Sequence, residues 1–238
     1  IKILVILLII LKKLKEILDQ FNMTRDLKKR ITTSLFLLLA LSLSYINNFI
    51  LGYILIVAAI FSILEFLKIS KIIFNKKKIK KFWVNLIFIV YIFYFFLLFL
   101  TFSTSLYLKI LIFVILLTCV ASDIGGFVFG KIFKGPKLSK ISPNKTISGS
   151  LGGLFFTIVV FKSSIFYFTG NLSWKLIFVA IITSIFCQLG DLFFSFLKRK
   201  AKIKDTGKFL PGHGGVLDRV DGILLGVPLG YLSLVLLI

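Results

Sequence analysis

Residues 83–102 read WVNLIFIVYIFYFFLLFLTF, a run of 20 residues without a charged side chain. The hydrocarbon core of a bilayer is crossed by an α-helix of ~20 apolar residues. Several of the other apolar runs have only 16 or 17 residues, so six or eight spans are the alternatives to seven. The sequence therefore predicts an all-α, polytopic integral membrane helical bundle of about seven transmembrane helices. The other runs are 31–47, 49–67, 107–122, 148–169, 174–190 and 223–238.

The overall composition excludes several other classes of protein. The chain has 238 residues, 58% of them hydrophobic, with 30 Lys or Arg against 9 Asp or Glu. Soluble domains contain fewer apolar residues, and disordered chains lack the 28 Phe and the long Ile/Leu runs found here. A nucleic-acid-binding protein is also basic, but it does not need apolar runs that match a bilayer. We therefore expect a protein that binds the lipid bilayer and no nucleic acid.

The positive charge is concentrated in alternate connecting segments. Four of these, 24–30, 68–82, 123–147 and 191–222, hold 23 of the 30 Lys and Arg residues. Lys and Arg are enriched in the cytoplasmic loops of membrane proteins. The distribution thus predicts an N-terminus on the inside and these four segments on the cytoplasmic side. The membrane is expected to be the bacterial inner (cell) membrane.

The chain is expected to contain a leader and two membrane regions. Residues 1–30 form a basic leader, in which Met23 is the only Met and directly precedes TRDLKKR. We take Met23 as the natural start and residues 1–22 as an upstream extension. The rest divides into N-terminal membrane helices, 31–122, and a C-terminal catalytic region, 123–238, with cytoplasmic loops at 123–147 and 191–222.

The acidic residues are few enough to consider one by one. A carboxylate at the end of a membrane helix is costly unless it faces a polar cavity, a cation or a partner, so it marks a functional site by default. Five of the nine lie in or at the edge of the two long polar segments: Asp123, Asp191, Asp205, Asp218 and Asp221.

The segment 195–221, SFLKRKAKIKDTGKFLPGHGGVLDRVD, combines several of the groups that bind phosphate. It has three acids, the only His of the chain, six basic residues within 198–208 and a glycine-rich turn. Taken singly, a basic run anchors to anionic lipid, a Pro-Gly pair forms a turn and a lone His is structural. Together, cations, exposed amides and carboxylates that can hold Mg²⁺ indicate a nucleotide or polyphosphate site.

The same segment resembles a known family signature. The pattern S-x-x-K-R-x4-K-D-x5-P-G-H-G-G-x-x-D-R-x-D is similar to that of phosphatidate cytidylyltransferases, also called CDP-diacylglycerol synthases, and it is matched without a gap. The resemblance extends to Gly190-Asp191, SDIGGFVFGK (122–131) and ISPNKTISGSLGG (141–153), or roughly residues 120 to 235. The chain departs from the common family pattern in two places: Gly126-Phe127 replaces Ala-Tyr, and Ser148 replaces a Glu.

The resemblance implies an enzyme of phospholipid biosynthesis, a nucleotidyltransferase. It would transfer a cytidylyl group from CTP to phosphatidic acid, giving CDP-diacylglycerol and pyrophosphate. The implied cofactor is Mg²⁺, with a second cation left open, and a homodimer is one option for its assembly. Catalysis would rest on positioning and on neutralising charge, because the attacking phosphate oxygen is already anionic.

The resemblance also assigns roles to individual residues. Asp191 and Asp218 are the implied metal ligands, with Asp221 as a third ligand or as a residue that orients them. The implied catalytic residues are Asp218, Asp221, Lys198 and Arg219. The implied substrate-binding residues are Ser195, Arg199, Lys204, Asp205, His213, Gly214, Gly215, Asp123, Ser142, Lys145 and Thr146.

Two other functions stay open on the sequence. A CTP-dependent kinase acting on a polyprenol-type lipid would release CDP and would need a base for a neutral hydroxyl, a role that His213 or Asp221 could fill. A non-catalytic transporter or scaffold for anionic lipids would favour helices broken by Gly or Pro in two matching halves, which are not evident in the sequence.

Overall fold

The computed structural model describes residues 25–170 and 173–237, and these ranges form seven α-helices. By length and composition all seven can cross a membrane, and the described ranges contain two isolated bridges but no β-strand. The predicted all-α bundle of seven spans is confirmed, and the chain is an integral membrane protein. The predicted start at Met23 lies outside the described residues. The helices are α1 (Arg25–Ile46), α2 (Asn48–Ile73), α3 (Lys78–Ser103), α4 (Leu106–Phe133), α5 (Ile147–Thr169), α6 (Lys175–Lys200) and α7 (Leu217–Leu237).

Three helices extend beyond the apolar runs that predicted them. Helix α4 continues to Phe133, α6 continues to Lys200, and α7 begins at Leu217. The loops between them are therefore 134–146 and 201–216, shorter than the polar segments expected at 123–147 and 191–222. Lys and Arg lower the hydropathy but are good helix formers, so a helix can continue beyond its apolar run. Four of the five predicted acids therefore occupy helical turns rather than loops.

The helices approach one another closely in two pairs, α4 with α5 and α6 with α7, through small residues. A Cβ atom added to Gly125 in α4 would lie 2.7 Å from the carbonyl oxygen of Gly152 in α5. A Cβ atom added to Gly190 in α6 would lie 2.6 Å from the carbonyl oxygen of Asp221 in α7. Such backbone approach is typical of membrane helices, which associate by close packing. It also fixes the register of the polar residues on these helices.

Helix α4 contributes the centre of the packed interior. Ile112, Ile115 and Cys119 on this helix are buried, and Cys119 contacts the buried Cys187 of α6. Both cysteines are free thiols, so they act as packing residues. Large apolar side chains such as Phe49 lie exposed on the outside of the bundle, where a soluble protein would expose polar groups.

Candidate active site

Three carboxylates from three helices converge where α4, α6 and α7 meet. Asp123 lies in α4, Asp191 in α6 and Asp221 in α7, and each of the three interacts electrostatically with the other two. The close approach of Gly190 to the backbone of Asp221 brings the last two together. The five predicted acids therefore include three that share one location, although almost a hundred residues of sequence separate Asp123 from Asp221.

Two lysines balance these acids. Lys145, from the loop that precedes α5, forms an ion pair with Asp191. Lys198 of α6 lies 2.7 Å from Asp218 and 3.8 Å from Asp221, so one ammonium group serves both carboxylates of α7. Ser195, one turn earlier in α6, lies 3.4 Å from the other oxygen of Asp191. The fold thus brings Ser195 and Lys198, two of the predicted site residues, beside the acids.

Asp218 has a second role, because it also holds the 201–216 loop. Its Oδ2 atom accepts hydrogen bonds from the backbone N–H groups of Thr206 and Gly215, at 2.8 and 3.0 Å. The hydroxyl of Thr206 lies 3.0 Å from the same oxygen. The Oδ2 atom is thus saturated, and Oδ1, which faces Lys198, is the oxygen left for a ligand.

The loop 134–146 is ordered by its own backbone and places Lys145 and Thr146. The N–H of Leu138 donates to the carbonyl of Lys145 at 2.7 Å, and the N–H of Lys145 donates to the carbonyl of Ser142 at 3.0 Å. Thr146 caps α5 by accepting a hydrogen bond from the N–H of Gly149 at 3.1 Å. Ser142 therefore shapes the turn that presents Lys145 to Asp191.

The Ser148 departure from the family pattern has a local structural role. Its hydroxyl donates a hydrogen bond to the carbonyl of Lys134 and lies 3.0 Å from the hydroxyl of Thr146. Ser148 therefore ties the start of α5 to the end of α4, where the family has a carboxylate. In the other departure, a Cβ atom on Gly126 would lie 3.6 Å from the nearest atom, so this position has room for the family's Ala.

A basic cavity adjoins the acidic cluster. The loop 201–216 and the start of α1 enclose a cavity of about 650 Å³. Arg219 connects the two regions, since it interacts electrostatically with both Asp123 and His213. The excess of cations around this cavity favours an anionic ligand. Its charged and titratable lining residues are Arg30, Lys204, Asp205, Lys208, His213 and Arg219.

His213 lines this cavity, and its surroundings favour the neutral form of its imidazole. Burial, followed by the nearby charges of Arg219 and Arg30, lowers the pKa of His213 below its ordinary value, against a smaller opposing effect of the Pro211 backbone. The Nε2 atom of His213 lies 3.3 Å from the hydroxyl of Ser34 in α1. Its carbonyl oxygen accepts two hydrogen bonds from the Arg219 guanidinium, at 2.9 and 3.2 Å.

The glycine turn contains two residues in the left-handed region of backbone conformation. Gly212 and Gly214 have φ angles of 75° and 85°, which glycine adopts without strain. Gly214 and Asp205 line the basic cavity. The buried Gly215 instead faces away from that cavity, because its N–H is bonded to Asp218. Arg199 is exposed on the last turn of α6 and does not line the cavity.

The carboxylate oxygens of the site are the groups available to bind a metal ion. Within 25–170 and 173–237, no group of three or more His, Cys, Asp or Glu side chains could hold a metal ion by itself. Mg²⁺ is commonly bound by one or two carboxylates and completes its shell with water and substrate phosphates. Asp191, Asp218 Oδ1 and Asp221 offer hard oxygen donors of this kind, now neutralised by lysines. The donor set fits Mg²⁺ when a phosphate ligand is also bound.

Sequence reasoning missed three residues that the fold brings to this region. Arg30 lines the basic cavity, and Thr206 holds Asp218. Glu65 of α2 is buried against the same loop as Thr206. The one available signal was that Glu65 is a lone acid at the end of a membrane span, which is unusual.

The chain is similar to known proteins over much of its length. The Cytidylyltransferase family matches residues 1–237. This chain is 47% identical to the phosphatidate cytidylyltransferase of Staphylococcus haemolyticus and 46% identical to that of Staphylococcus aureus. Both alignments cover 110 residues, which is 45% of this chain. The Helicobacter pylori phosphatidate cytidylyltransferase is 43% identical over 115 residues, or 47% of this chain.

The similarity spans 42% of the length of each of these relatives. The match to the family, in contrast, covers nearly the whole chain. It includes the helices and loops that carry the acids, the lysines and the basic cavity. The chain therefore belongs to the cytidylyltransferase family.

Proposed function

We propose that this protein transfers a cytidylyl group from CTP to phosphatidic acid, producing CDP-diacylglycerol and pyrophosphate for phospholipid synthesis. The observation that carries the proposal is the convergence of the acids and lysines of three helices beside a basic cavity. Curated relatives named phosphatidate cytidylyltransferase support the choice of substrates. The kinase and transporter alternatives have no comparable support.

In the proposed reaction, an anionic phosphate oxygen of the lipid attacks the α-phosphorus of CTP. A P–O bond forms between the two substrates, and the bond between the α-phosphorus and the bridging oxygen breaks. Its electron pair leaves with pyrophosphate. No proton has to be removed from the nucleophile, so the protein needs to align the two phosphates and offset their repulsion.

The cations of the site suit this task. Arg219 and Lys204 line the basic cavity and would bind the phosphates of CTP, in which Arg provides a forked donor. His213 lines the same cavity and would contribute a hydrogen bond as a neutral imidazole. Lys198 and Lys145 stand beside the carboxylates and would reach phosphate oxygens when a ligand enters. Ser195 and Arg199, at the cytoplasmic end of α6 in the proposed orientation, would meet the lipid phosphate.

The proposed cofactor is Mg²⁺, held by Asp191 and Asp218 with Asp221 as the third carboxylate. When bound, the ion would neutralise charge on the phosphates. The chain's own contribution is the close packing of α6 and α7, which brings Gly190 against the backbone of Asp221 and so places Asp191 near Asp221. A second cation and a homodimeric assembly stay predictions.

The proposed location is the bacterial inner (cell) membrane. The loop 134–146 contributes Lys145 to the site, and the loop 201–216 contributes most of the basic cavity. Both loops would face the cytoplasm, where CTP is available. Support for this orientation comes from the concentration of Lys and Arg in these loops.

The proposal is tested with purified protein in liposomes. We expect pyrophosphate to be released from CTP only when phosphatidic acid and Mg²⁺ are present. Asp221→Asn should lower kcat about 10²-fold or more, because it removes a charge at the reacting phosphates. Pyrophosphate release that does not depend on phosphatidic acid, or a fully active Asp221→Asn protein, would contradict the proposal.

A further inference from the structure

Glu65 is a buried carboxylate that the proposed reaction does not use. It lies in α2, and only 3% of its surface is exposed. No ion pair of the described residues includes it. A charged group inside a membrane bundle is costly unless hydrogen bonds compensate for the lost water. The partners of Glu65 therefore show what it contributes.

All the partners of Glu65 belong to the loop 201–216 or to the first residue of α7. Its Oε1 atom accepts a hydrogen bond from the N–H of Val216 at 3.1 Å. Its Oε2 atom accepts from the N–H of Leu217 at 2.9 Å and from the hydroxyl of Thr206 at 2.6 Å. Glu65 thus caps α7 from another helix, where a negative charge is favourable.

Asp218 is bound by the same short stretch of backbone. Thr206 donates its N–H to Asp218 and its hydroxyl to Glu65, the nearer of the two carboxylates to that hydroxyl. Gly215 donates to Asp218, and the next two residues donate to Glu65. The two carboxylates therefore bind the same two parts of the chain, Thr206 and residues 215–217.

The backbone of the loop 201–216 packs closely around the Glu65 carboxylate. A Cβ atom on Gly207 or on Gly215 would collide with the Glu65 carboxylate. The glycines let the backbone close around this side chain, and any shift of Glu65 would be transmitted to the loop. Lys198 contacts Asp218 on its remaining oxygen, so a displaced loop would also displace that ion pair.

We infer that Glu65 is a positioning residue, which sets the orientation of Asp218 and the start of α7 and through them the acidic cluster. The inference rests on the proposed function for its effect on turnover. Glu65 acts through the loop and does not contact substrate. It explains why a carboxylate of the N-terminal helices is buried against the C-terminal site.

The test compares Glu65→Gln with Asn48→Ala at the opposite end of α2. Gln keeps the shape of the side chain, but its NH₂ group cannot accept a hydrogen bond. It would replace a carboxylate oxygen that accepts one from the loop or from α7. Asn48→Ala is the matched control because Asn48 also joins helices, through Lys109 at 2.6 Å and the Ser103 carbonyl at 3.0 Å, far from the site. Thr206→Val is a milder second variant, which removes one hydroxyl.

Three measurements are made on each purified protein: kcat and KM for CTP, the Tm, and hydrogen exchange of the 204–218 backbone. For Glu65→Gln we expect kcat to fall about 10- to 100-fold, with KM changed less than about twofold, since outer hydrogen-bond partners of ligand-binding groups have effects of this size. Exchange in 204–218 should accelerate. Thr206→Val should show the same pattern more weakly, and the double variant should lose less than the product of the two effects.

Asn48→Ala should lower the Tm without changing kcat or the exchange of 204–218. The inference is overturned if Glu65→Gln loses only Tm, or if its loop exchanges like that of the wild type. Should Glu65→Gln fail to fold, normal kcat and normal exchange in Thr206→Val would overturn it as well. An inactive wild type would refute the proposed function alone, because hydrogen exchange would still test the positioning of the loop.

Discussion

At the scale of single residues, Lys198 links the two carboxylates of α7. The sequence singled out all three residues as site candidates but did not predict this contact. It lies seven residues from Asp191 along α6, and Asp218 and Asp221 are one turn apart on α7. Short spacing on a helix places such groups on one face. Glu65 could not be predicted as their neighbour, because its contact with Thr206 joins positions 141 residues apart. No local pattern encodes a contact of that range.

Removing Lys198 should disable the site. We expect Lys198→Ala to lower kcat about 10²- to 10³-fold, because Asp218 and Asp221 lose their shared cation and the phosphates lose a donor. Steady-state kinetics in liposomes measure this effect. Lys202→Ala, an exposed lysine of the adjacent loop, is the control and should keep its activity. Equal losses in the two variants would mean that only overall charge matters.

The lowered pKa of His213 predicts a dependence of stability on pH. Because burial and nearby cations disfavour its charged form, the folded protein binds this proton less readily than the unfolded chain. Stability linked to His213 is therefore present above the unfolded pKa of about 6.5 and is lost as the pH falls below it.

We expect the Tm of the wild type to fall more steeply between about pH 7 and pH 5 than that of His213→Gln. Thermal unfolding in one detergent across this pH range provides the comparison. Parallel curves for the two proteins would show that His213 does not carry the linkage.

At the scale of helices, the close contact of α6 with α7 decides the geometry of the acids. Which helices pair could not be predicted from the sequence, because lipid-facing helices are apolar on all sides and lack a helical hydrophobic period. The helix ends were also misplaced, since polar residues of the site lie inside helices α4, α6 and α7. Glycines in an apolar run indicated close packing but not the partner helix.

Widening this contact should separate Asp191 from Asp221. We expect Gly190→Ala to lower kcat about 10²-fold, because its Cβ atom would lie 2.6 Å from the carbonyl oxygen of Asp221 and a shift of about 1 Å has effects of this size. The control is Gly52→Ala in α2, where the nearest atom would lie 3.9 Å away. The measurement is kcat of both variants in liposomes. A fully active Gly190→Ala would contradict the packing argument.

At the scale of the whole molecule, the distribution of charge was the most informative feature of the sequence. An excess of bases over acids by 21 predicted a topology, and the rarity of acids singled out those of the site. Seven spans followed from hydropathy alone. The basic cavity did not, because it forms between the 201–216 loop and α1, which only the tertiary fold brings together.

The proposed topology can be tested by cysteine labelling in intact cells. Both native cysteines are buried, so they give little background. Lys140→Cys lies in an exposed position of the α4–α5 loop, and Thr104→Cys is exposed between α3 and α4. A membrane-impermeant maleimide should label Thr104→Cys from outside and Lys140→Cys only after the cells are opened. The reverse pattern would invert the orientation.

The most direct test of the central claim is the fate of the phosphates of CTP. Purified protein in liposomes with phosphatidic acid and Mg²⁺ is supplied with CTP labelled at either the α- or the γ-phosphate. Cytidylyl transfer predicts that the α-label enters the lipid fraction and the γ-label leaves as pyrophosphate. If the γ-label entered the lipid and CDP were released, the protein would be a kinase and the account would be wrong.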